Sequence, residues 1–432
     1  MFRKLRDKTR PLRRRLKLGV ATYRARNKRS SLICPVIGVT GSSGKSTTTN
    51  LLRHVLAGQG KVEALCIENT LTPLARFMAA LPLRSDFVIA ELGASQSGDI
   101  LSMSTLLRPT VAVITKVGIE HHSSFRSREG VAEEKGSLVS VLPENGLAIL
   151  NADDPYVAAM SERTKARAVT FGWSEGADYQ VLETRDGFPK RLEVTIRCKQ
   201  GVFEVATPFL DSTFWLATAA AFACAVELGM EPARVAELIG SAQPIWNRLQ
   251  TLKVPNGPIF LLDTVKAPAE SIEGALAALG KASAKRKTVI LGTISDYKGD
   301  SRKPYRAAYR LSRELADRVI FVGDHSHRSG ATEEDIERGI FASFVEPRAA
   351  TEYIRQTAQP DELILIKGSA TQHLERIAFD WGQNVQCWDP KCGKTIDCRT
   401  CGLVEFPRHL HKRKRWSSRW AARYRSWLGG TQ

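Results

Sequence analysis

Leu32-Ile33-Cys34-Pro35-Val36-Ile37-Gly38-Val39-Thr40, followed directly by Gly41-Ser42-Ser43-Gly44-Lys45-Ser46-Thr47, sets the architecture of the N-terminal half. The apolar run reads as a buried strand and the Gly/Ser run as a tight turn. From Thr47 to Ala57 the apolar residues Leu51, Leu52, Val55 and Leu56 carry helical spacing. A strand, a glycine turn and a helix in that order form a phosphate-binding loop. Glycines let the backbone curl until its N–H groups face phosphate oxygens, and the helix N-terminus adds a favourable dipole. Gly41, Ser42, Ser43, Gly44 and Thr47 would cradle the phosphates of a nucleotide, Lys45 would sit on its β/γ-phosphates, and the Ser46 hydroxyl would hold Mg²⁺. The bland alternative is an ordinary Gly/Ser turn with a chance lysine. The general pattern asks for a glycine five residues before Gly44, where this chain has Val39.

Outward from this loop, short apolar runs recur at Phe87–Ala90, Val111–Ile114 and Ala148–Leu150, with helix-like segments between them, as in a parallel sheet of βαβ units. Tyr179–Val205 alternates like antiparallel strands, and the Ala-rich Phe214–Leu228 reads as a buried helix. A second α/β series begins near Trp246, with strands expected at Ile259–Leu262, Thr288–Leu291, Val319–Val322 and Leu363–Ile366. The fold class is therefore α/β, a central P-loop parallel-sheet ATPase domain plus a C-terminal Rossmann-like α/β domain and a small Cys-rich extension. The expected divisions are a basic leader (1–32), the ATP-binding domain (33–245), the second α/β domain (246–386), a four-cysteine knuckle (387–404) and a basic Trp/Arg-rich tail (405–432).

Hydrophobic residues at 43% and charged residues at 25% are the balance of a soluble globular protein. No run approaches the roughly 20 apolar residues of a membrane span, and the basic N-terminus lacks the apolar core of a secretory signal. The net charge of +18 is uneven. Residues 1–30 hold 13 Lys/Arg against Asp7 alone, and residues 408–432 hold 8 Lys/Arg and no acid, which leaves the body near neutral. Any argument about polyanions therefore concerns the two ends. Of eight cysteines, four are scattered and four crowd into Cys387–Cys401, which fits a reducing cytoplasmic compartment rather than a secreted disulfide framework.

The loop Thr40-Gly41-Ser42-Ser43-Gly44-Lys45-Ser46-Thr47, with Gly38 upstream, resembles that of the Mur ligase superfamily, and the resemblance continues in order over roughly residues 33–376. Glu91-Leu92-Gly93-Ala94-Ser95 resembles the acidic segment that supplies a Mg²⁺ ligand. Val117-Gly118-Ile119-Glu120-His121 resembles the segment whose histidine binds a second metal, and Ser127–Lys135 the one whose lysine many members carbamylate. Asn151-Ala152-Asp153-Asp154, Asn247-Arg248-Leu249, Asp263 and Lys367-Gly368-Ser369 are similar to further motifs, so Asn151, Arg248 and Asp263 are expected at the nucleotide. The resemblance implies an ATP-dependent ligase that joins a carboxylate to an amine through an acyl-phosphate. Lys45, Glu91, His121 and Lys135 would be its catalytic residues, Ser46, Glu91 and His121 its Mg²⁺ ligands. Phosphorylating a carboxylate brings two anions together, so Lys45 and a hard cation with oxygen ligands are the residue types the reaction needs. As alternatives, Glu91 and His121 would be merely solvated or core-satisfied polar groups, and Lys135 an ordinary helix-surface lysine.

Several positions depart from the family pattern. Lys116 stands for an Asn beside His121, Lys266 for a His or Asn after Asp263, and Asn247 for a Gly before Arg248. Asp211–Ala223 lacks the usual His and Asn. Only about 32 residues precede the first strand, too few for a domain gripping a UDP-linked sugar. The expected acceptor is thus cell-wall-related or polymeric, and the amine an amino acid or peptide. Rival readings are a nucleic-acid-associated P-loop NTPase and a non-catalytic Mur-ligase-like scaffold.

At the far end, Cys387-x4-Cys392-x5-Cys398-x2-Cys401 could close a tetrahedral Zn²⁺ site; reduced, unligated cysteines or a redox pair are the alternatives. Trp416, Trp420, Tyr424 and Trp427, flanked by Arg419, Arg423 and Arg425, have the spacing of an interfacial helix on an anionic membrane, with a looser version in the leader through Phe2, Leu5, Leu12 and Leu16. This places the enzyme in the cytoplasm, peripheral to the inner face of the membrane. RNA or another polyanion is the competing partner, and a disordered basic arm the bland alternative.

Overall fold

A computed structural model of the chain describes residues 2–82, 84–118, 125, 127–297, 299–389, 392 and 398–411, with backbone only for 2–14 and 400. His121 and the tail aromatics Trp416, Trp420, Tyr424 and Trp427 lie outside the described residues. The chain divides into two units, one of Met1–Asp186 with Arg191–Ile245, the other of Gly187–Lys190 with Trp246–Gln432.

The first unit is built on nine strands: β1 Val36–Thr40, β2 Val62–Leu65, β3 Phe87–Glu91, β4 Val111–Ile114, β5 Leu147–Asn151, β6 Arg167–Gly172, β7 Tyr179–Gly187, β8 Lys190–Cys198 and β9 Gly201–Ala206. Their order is β2-β3-β1-β4-β5-β6-β7-β8-β9, parallel from β2 to β7, with β8 and β9 antiparallel. The alternating stretch after Tyr179 thus continues the same sheet, with β8 and β9 antiparallel as expected but β7 parallel to β6. Strands β1, β3, β4 and β5 are buried at every position, which is why they read as unbroken apolar runs. Helices α1 Phe2–Ser30, α3 Leu71–Ala80, α4 Asp99–Leu107 and α5 Arg128–Ser140 share one core with one set of strand residues. Helices α2 Lys45–Leu56 and α6 Trp215–Glu227 share the core on the other face. Two strands, β2 and β6, were not expected; β2 is only half-buried and β6 starts with two exposed residues, so neither stands out as an apolar run.

The basic leader is a helix, not a disordered arm, and its C-terminal half is docked. Ala25 and Arg29 are buried, and Leu18 and Ala21 pack against the core that α3 and α4 also line. Arg29 is the anchor. Its Nε donates to the carbonyls of Leu107 at 2.8 Å and Arg108 at 3.0 Å, Nη2 to Arg108 at 2.6 Å, and Nη1 to Leu32 at 3.1 Å. One guanidinium thereby satisfies carbonyls that the end of α4 leaves without helical partners. No described helix is long and apolar enough to cross a membrane.

The second unit is a six-stranded sheet of β10 Gln250–Lys253, β11 Ile259–Asp263, β12 Lys287–Leu291, β13 Arg318–Val322, β14 Phe341–Phe344 and β15 Leu363–Lys367. The order is β10-β11-β15-β12-β13-β14, parallel except for the edge strand β10. Inside it Arg318, 1% exposed, pairs with the buried Glu362 at 2.9 Å and donates to Thr288 Oγ1 at 3.1 Å. Strands β10 and β14 were also missed, being short and only partly buried.

Arg29→Ala strips the cation from the carbonyls of Leu32, Leu107 and Arg108, the first two of them buried. The expected result is a loss of roughly 2–4 kcal/mol from hydrogen bonds to a charged group and faster tryptic cleavage after Arg24 and Arg26. Digestion at the wild-type rate would show that Arg29 does not hold the helix.

Candidate active site

Strand β1 lies inside the sheet with β3 on one side and β4 on the other, so a loop leaving its C-terminal end sits in the crevice where open α/β sheets place ligands. The glycine loop occupies that position. Gly41 has φ 147° and Gly44 φ 80°. A side chain on Gly41 would fall 1.9 Å from Thr115 Oγ1, so only glycine fits there. Thr115 donates through that hydroxyl to the Ser43 carbonyl, Ser42 N donates to the Lys116 carbonyl at 2.6 Å, and Gly118 N donates to Ser42 Oγ at 2.7 Å. The loop is thus laced to the segment after β4. Helix α2 begins at Lys45, with Gly44 as its N-cap, and the Lys45 ammonium donates to the Gly41 carbonyl, closing over the loop.

Glu91 ends β3 beside Val39 of β1 and is 1% exposed. Its carboxylate accepts from Ile67 N at 2.8 Å, Asn69 Nδ2 at 2.8 Å and Cys66 Sγ at 3.8 Å. Cys66 also reaches the Ser46 carbonyl at 3.4 Å, so one side chain touches both proposed Mg²⁺-binding residues. Glu91 is therefore not a solvated surface acid. A carboxylate has about four acceptor positions, and its three donors leave capacity for a cation. A hydroxyl such as that of Ser46 and a carboxylate such as Glu91 are the hard oxygen donors that Mg²⁺ prefers.

Lys135 is 1% exposed on α5, so it is not an ordinary surface lysine. Its neighbour Glu134 is 5% exposed and accepts from Gly98 N at 2.7 Å and Ile100 N at 2.6 Å, which caps the start of α4. Asn151, at the end of β5, donates to the Thr115 carbonyl at 2.8 Å and accepts from Asp153 N at 3.0 Å. Asp154 accepts from Val117 N at 2.8 Å. Both hold the segment that laces the loop, a job the sequence pattern alone did not reveal. Asn69, Ile67 and Cys66 were missed as well; the polar run Glu68-Asn69-Thr70 after β2 was the available signal.

In the second unit Asp263 and Lys367 are register neighbours at the C-terminal ends of β11 and β15. Their side chains pair at 2.8 Å, and Lys367 also donates to the Lys266 carbonyl at 2.6 Å. Arg248 is half-buried between Asn247 at φ 61° and Leu249 at φ 47°, two left-handed residues that are not glycine. The Arg399 guanidinium lies 3.8 Å from the ring centre of the preceding Trp246, which stacks on Phe379 at 6.1 Å.

The Mur ligase middle domain matches residues 39–225, and the Mur ligase, glutamate ligase domain matches residues 247–370. The chain is 28% identical over 367 residues to the UDP-N-acetylmuramoyl-tripeptide--D-alanyl-D-alanine ligase of Mycobacterium tuberculosis, covering 79% of this chain and 72% of that one. The Bacillus subtilis enzyme of the same name is 28% identical over 352 residues, covering 80% and 75%. Among solved structures, MurF from Acinetobacter baumannii superposes with a TM-score of 0.75 at 24% identity, covering 84% of this chain and 79% of that chain. MurF ligase from Thermotoga maritima in complex with ADP gives 0.74 at 21%, covering 84% and 83%. Fold, motifs and relatives converge: the chain belongs to the Mur ligase superfamily of ATP-dependent acid–amino-acid ligases.

Proposed function

We propose that this ligase phosphorylates a substrate carboxylate with ATP and then joins the acyl group to an amine. The observation that carries the reading is the buried Glu91, whose donor Cys66 also reaches the Ser46 carbonyl, together with a glycine loop that has no room for a side chain at position 41. ATP transfers its γ-phosphoryl group to a carboxylate oxygen and ADP leaves. The amine attacks the acyl carbon, phosphate departs with the bonding pair, and the nitrogen sheds a proton as the amide forms. Mg²⁺ supplies charge neutralisation at the transferring phosphoryl group. Within the chain, Ser46 and Glu91 would hold it, Lys45 would add positive charge, and the N–H groups of Ser43–Thr47 would orient the phosphates, Ser42 N being committed to the Lys116 carbonyl. Asn151 and Asp154 act one step back by fixing the Thr115–Gly118 segment. His121 as a further metal ligand, and Arg248 and Asp263 as nucleotide contacts, belong to the same reading.

Burial of Lys135 supports carbamylation, because a carbamate is an anion able to coordinate where an ammonium is not. For substrates, the relatives' names point to a peptide such as D-alanyl-D-alanine as the amine, and to a cell-wall-related or polymeric carboxylate acceptor. A cytoplasmic, membrane-peripheral placement draws support from the outer face of α1. There Leu16, Val20 and Tyr23 are exposed between Arg15, Lys17, Arg24 and Arg26.

ADP release on mixing ATP, Mg²⁺, dipeptides and carboxylate acceptors tests the central reading. Lys45→Ala and Glu91→Gln are each expected to slow turnover about 10²–10³-fold, as for loss of one electrostatic contact to the transition state. Turnover unchanged in Lys45→Ala overturns the mechanism. Gly41→Ala adds about 1–3 kcal/mol of backbone strain, so calorimetry should show roughly a 5- to 150-fold weaker nucleotide affinity. For Lys135, activity in CO₂-depleted buffer should fall and return with bicarbonate, a response absent in Lys135→Ala; wild-type indifference to bicarbonate removes the carbamate.

A further inference from the structure

The ligase chemistry leaves unused a group of side chains near the end of the second unit. Cys387 and Cys398 are buried at 3% and 4% exposure, Cys392 and Cys401 are half-buried, and none is in a disulfide. All four line a single cavity of about 10 Å³, together with His373 and Arg376. That volume is close to the minimum for one water-sized sphere, a size that suits a single ion. The backbone brings the thiols together from both sides. Gln386 N and Cys387 N both donate to the Val404 carbonyl at 2.9 Å, which closes the base of the element. Cys398 and Cys401 share one helical turn, and Gly402, at φ 65°, turns the chain immediately afterwards.

Charge makes the stronger argument. Arg376 is 3% exposed and carries a permanent cation. Its Nε donates to Cys398 Sγ at 3.0 Å, Nη2 to Cys392 Sγ at 4.0 Å, and Nη1 to the Asp389 carbonyl at 3.0 Å. Among the described residues no carboxylate forms an ion pair with it, and two of its three nitrogens are aimed at sulfur, which favours thiolates there over neutral thiols. His373, 1% exposed, brings Nε2 to 2.9 Å from Cys392 Sγ. Its Nδ1 is 3.3 Å from Glu375 Oε1, and that oxygen accepts from Cys398 N at 3.1 Å. A thiolate cluster alone would hold too much negative charge; a divalent ion and Arg376 together offset most of it.

We propose that Cys387, Cys392, Cys398 and Cys401 are thiolate ligands of one structural Zn²⁺, with Arg376 and His373 as outer hydrogen-bond donors to the sulfurs. Soft sulfur ligands in a closed four-coordinate site select zinc. The outer donors orient the ligands and temper their charge, as partners of metal ligands generally do. His373, Glu375 and Cys398 also offer ligand atoms within 4.8 Å of one another. That triad leaves out Cys401 and the rest of the cysteine cluster, and it would spend the carboxylate–imidazole contact that orients His373. The inference does not depend on the ligase reading.

The test is metal analysis of the full-length chain, purified without chelator or affinity histidines. About one zinc per chain is expected, retained on dialysis against EDTA and released by a mercurial reagent as four thiols are titrated. Replacing zinc with Co²⁺ should give the charge-transfer and d–d spectrum of four thiolates, a readout on the intact wild-type protein. Cys401→Ser should lower zinc content at least several-fold, and Arg376→Gln should weaken zinc affinity roughly 10–100-fold while zinc-saturated protein keeps full occupancy. Absence of zinc with four freely reacting thiols, iron in its place, a disulfide among the four, or undiminished zinc in Cys401→Ser would each overturn the proposal. A Co²⁺ spectrum with a nitrogen or oxygen ligand would overturn the ligand set.

Discussion

The hydroxyl of Thr115 fills the space in which any residue other than glycine at position 41 would carry its side chain. That one exclusion holds the phosphate loop in shape. The same hydroxyl donates to the Ser43 carbonyl, so the loop is pinned to the end of β4. Asn151 at the end of β5 grips the Thr115 carbonyl, and Asp154 grips Val117 N. The loop is therefore the last link of a chain of contacts running across three neighbouring parallel strands. In the proposed reaction, a backbone fixed in this way would need little reorganisation on meeting an anion, the condition under which fixed dipoles act most strongly on a phosphoryl group.

Glu91 shows the same economy from the other side of β1. A buried carboxylate is costly unless its oxygens are satisfied, and here the turn after β2 supplies a backbone N–H, an amide and a thiol. Ile67 adopts φ 74° in that turn, a strained conformation for a β-branched residue. Backbone strain concentrates where a polar group has to be aimed.

The two α/β sheets were legible because their central strands are buried on both faces and so appear as unbroken apolar runs, and the loop because glycine and lysine spacing is local. Half-buried β2 and edge strands β10 and β14 carry no such run, and they stayed invisible. The charge of the leader concealed a docked helix, since its buried side is Ala25 and the stem of Arg29 rather than a stripe of large apolar residues. The outer partners Asn69, Asn151 and Arg376 lie 22, 36 and 22 positions away from the residues they serve. Only the folded chain brings them together.

The short segment around Arg248 has one more implication. Asn247 and Leu249 both sit in a left-handed conformation that an isolated peptide would abandon, and the Trp246 ring beside them is covered by Arg399 from the cysteine element and by Phe379. The Arg399–Trp246–Phe379 stack therefore joins the cysteine element to the residue that opens the Arg248 segment, so a change that displaces Arg399 would also uncover Trp246.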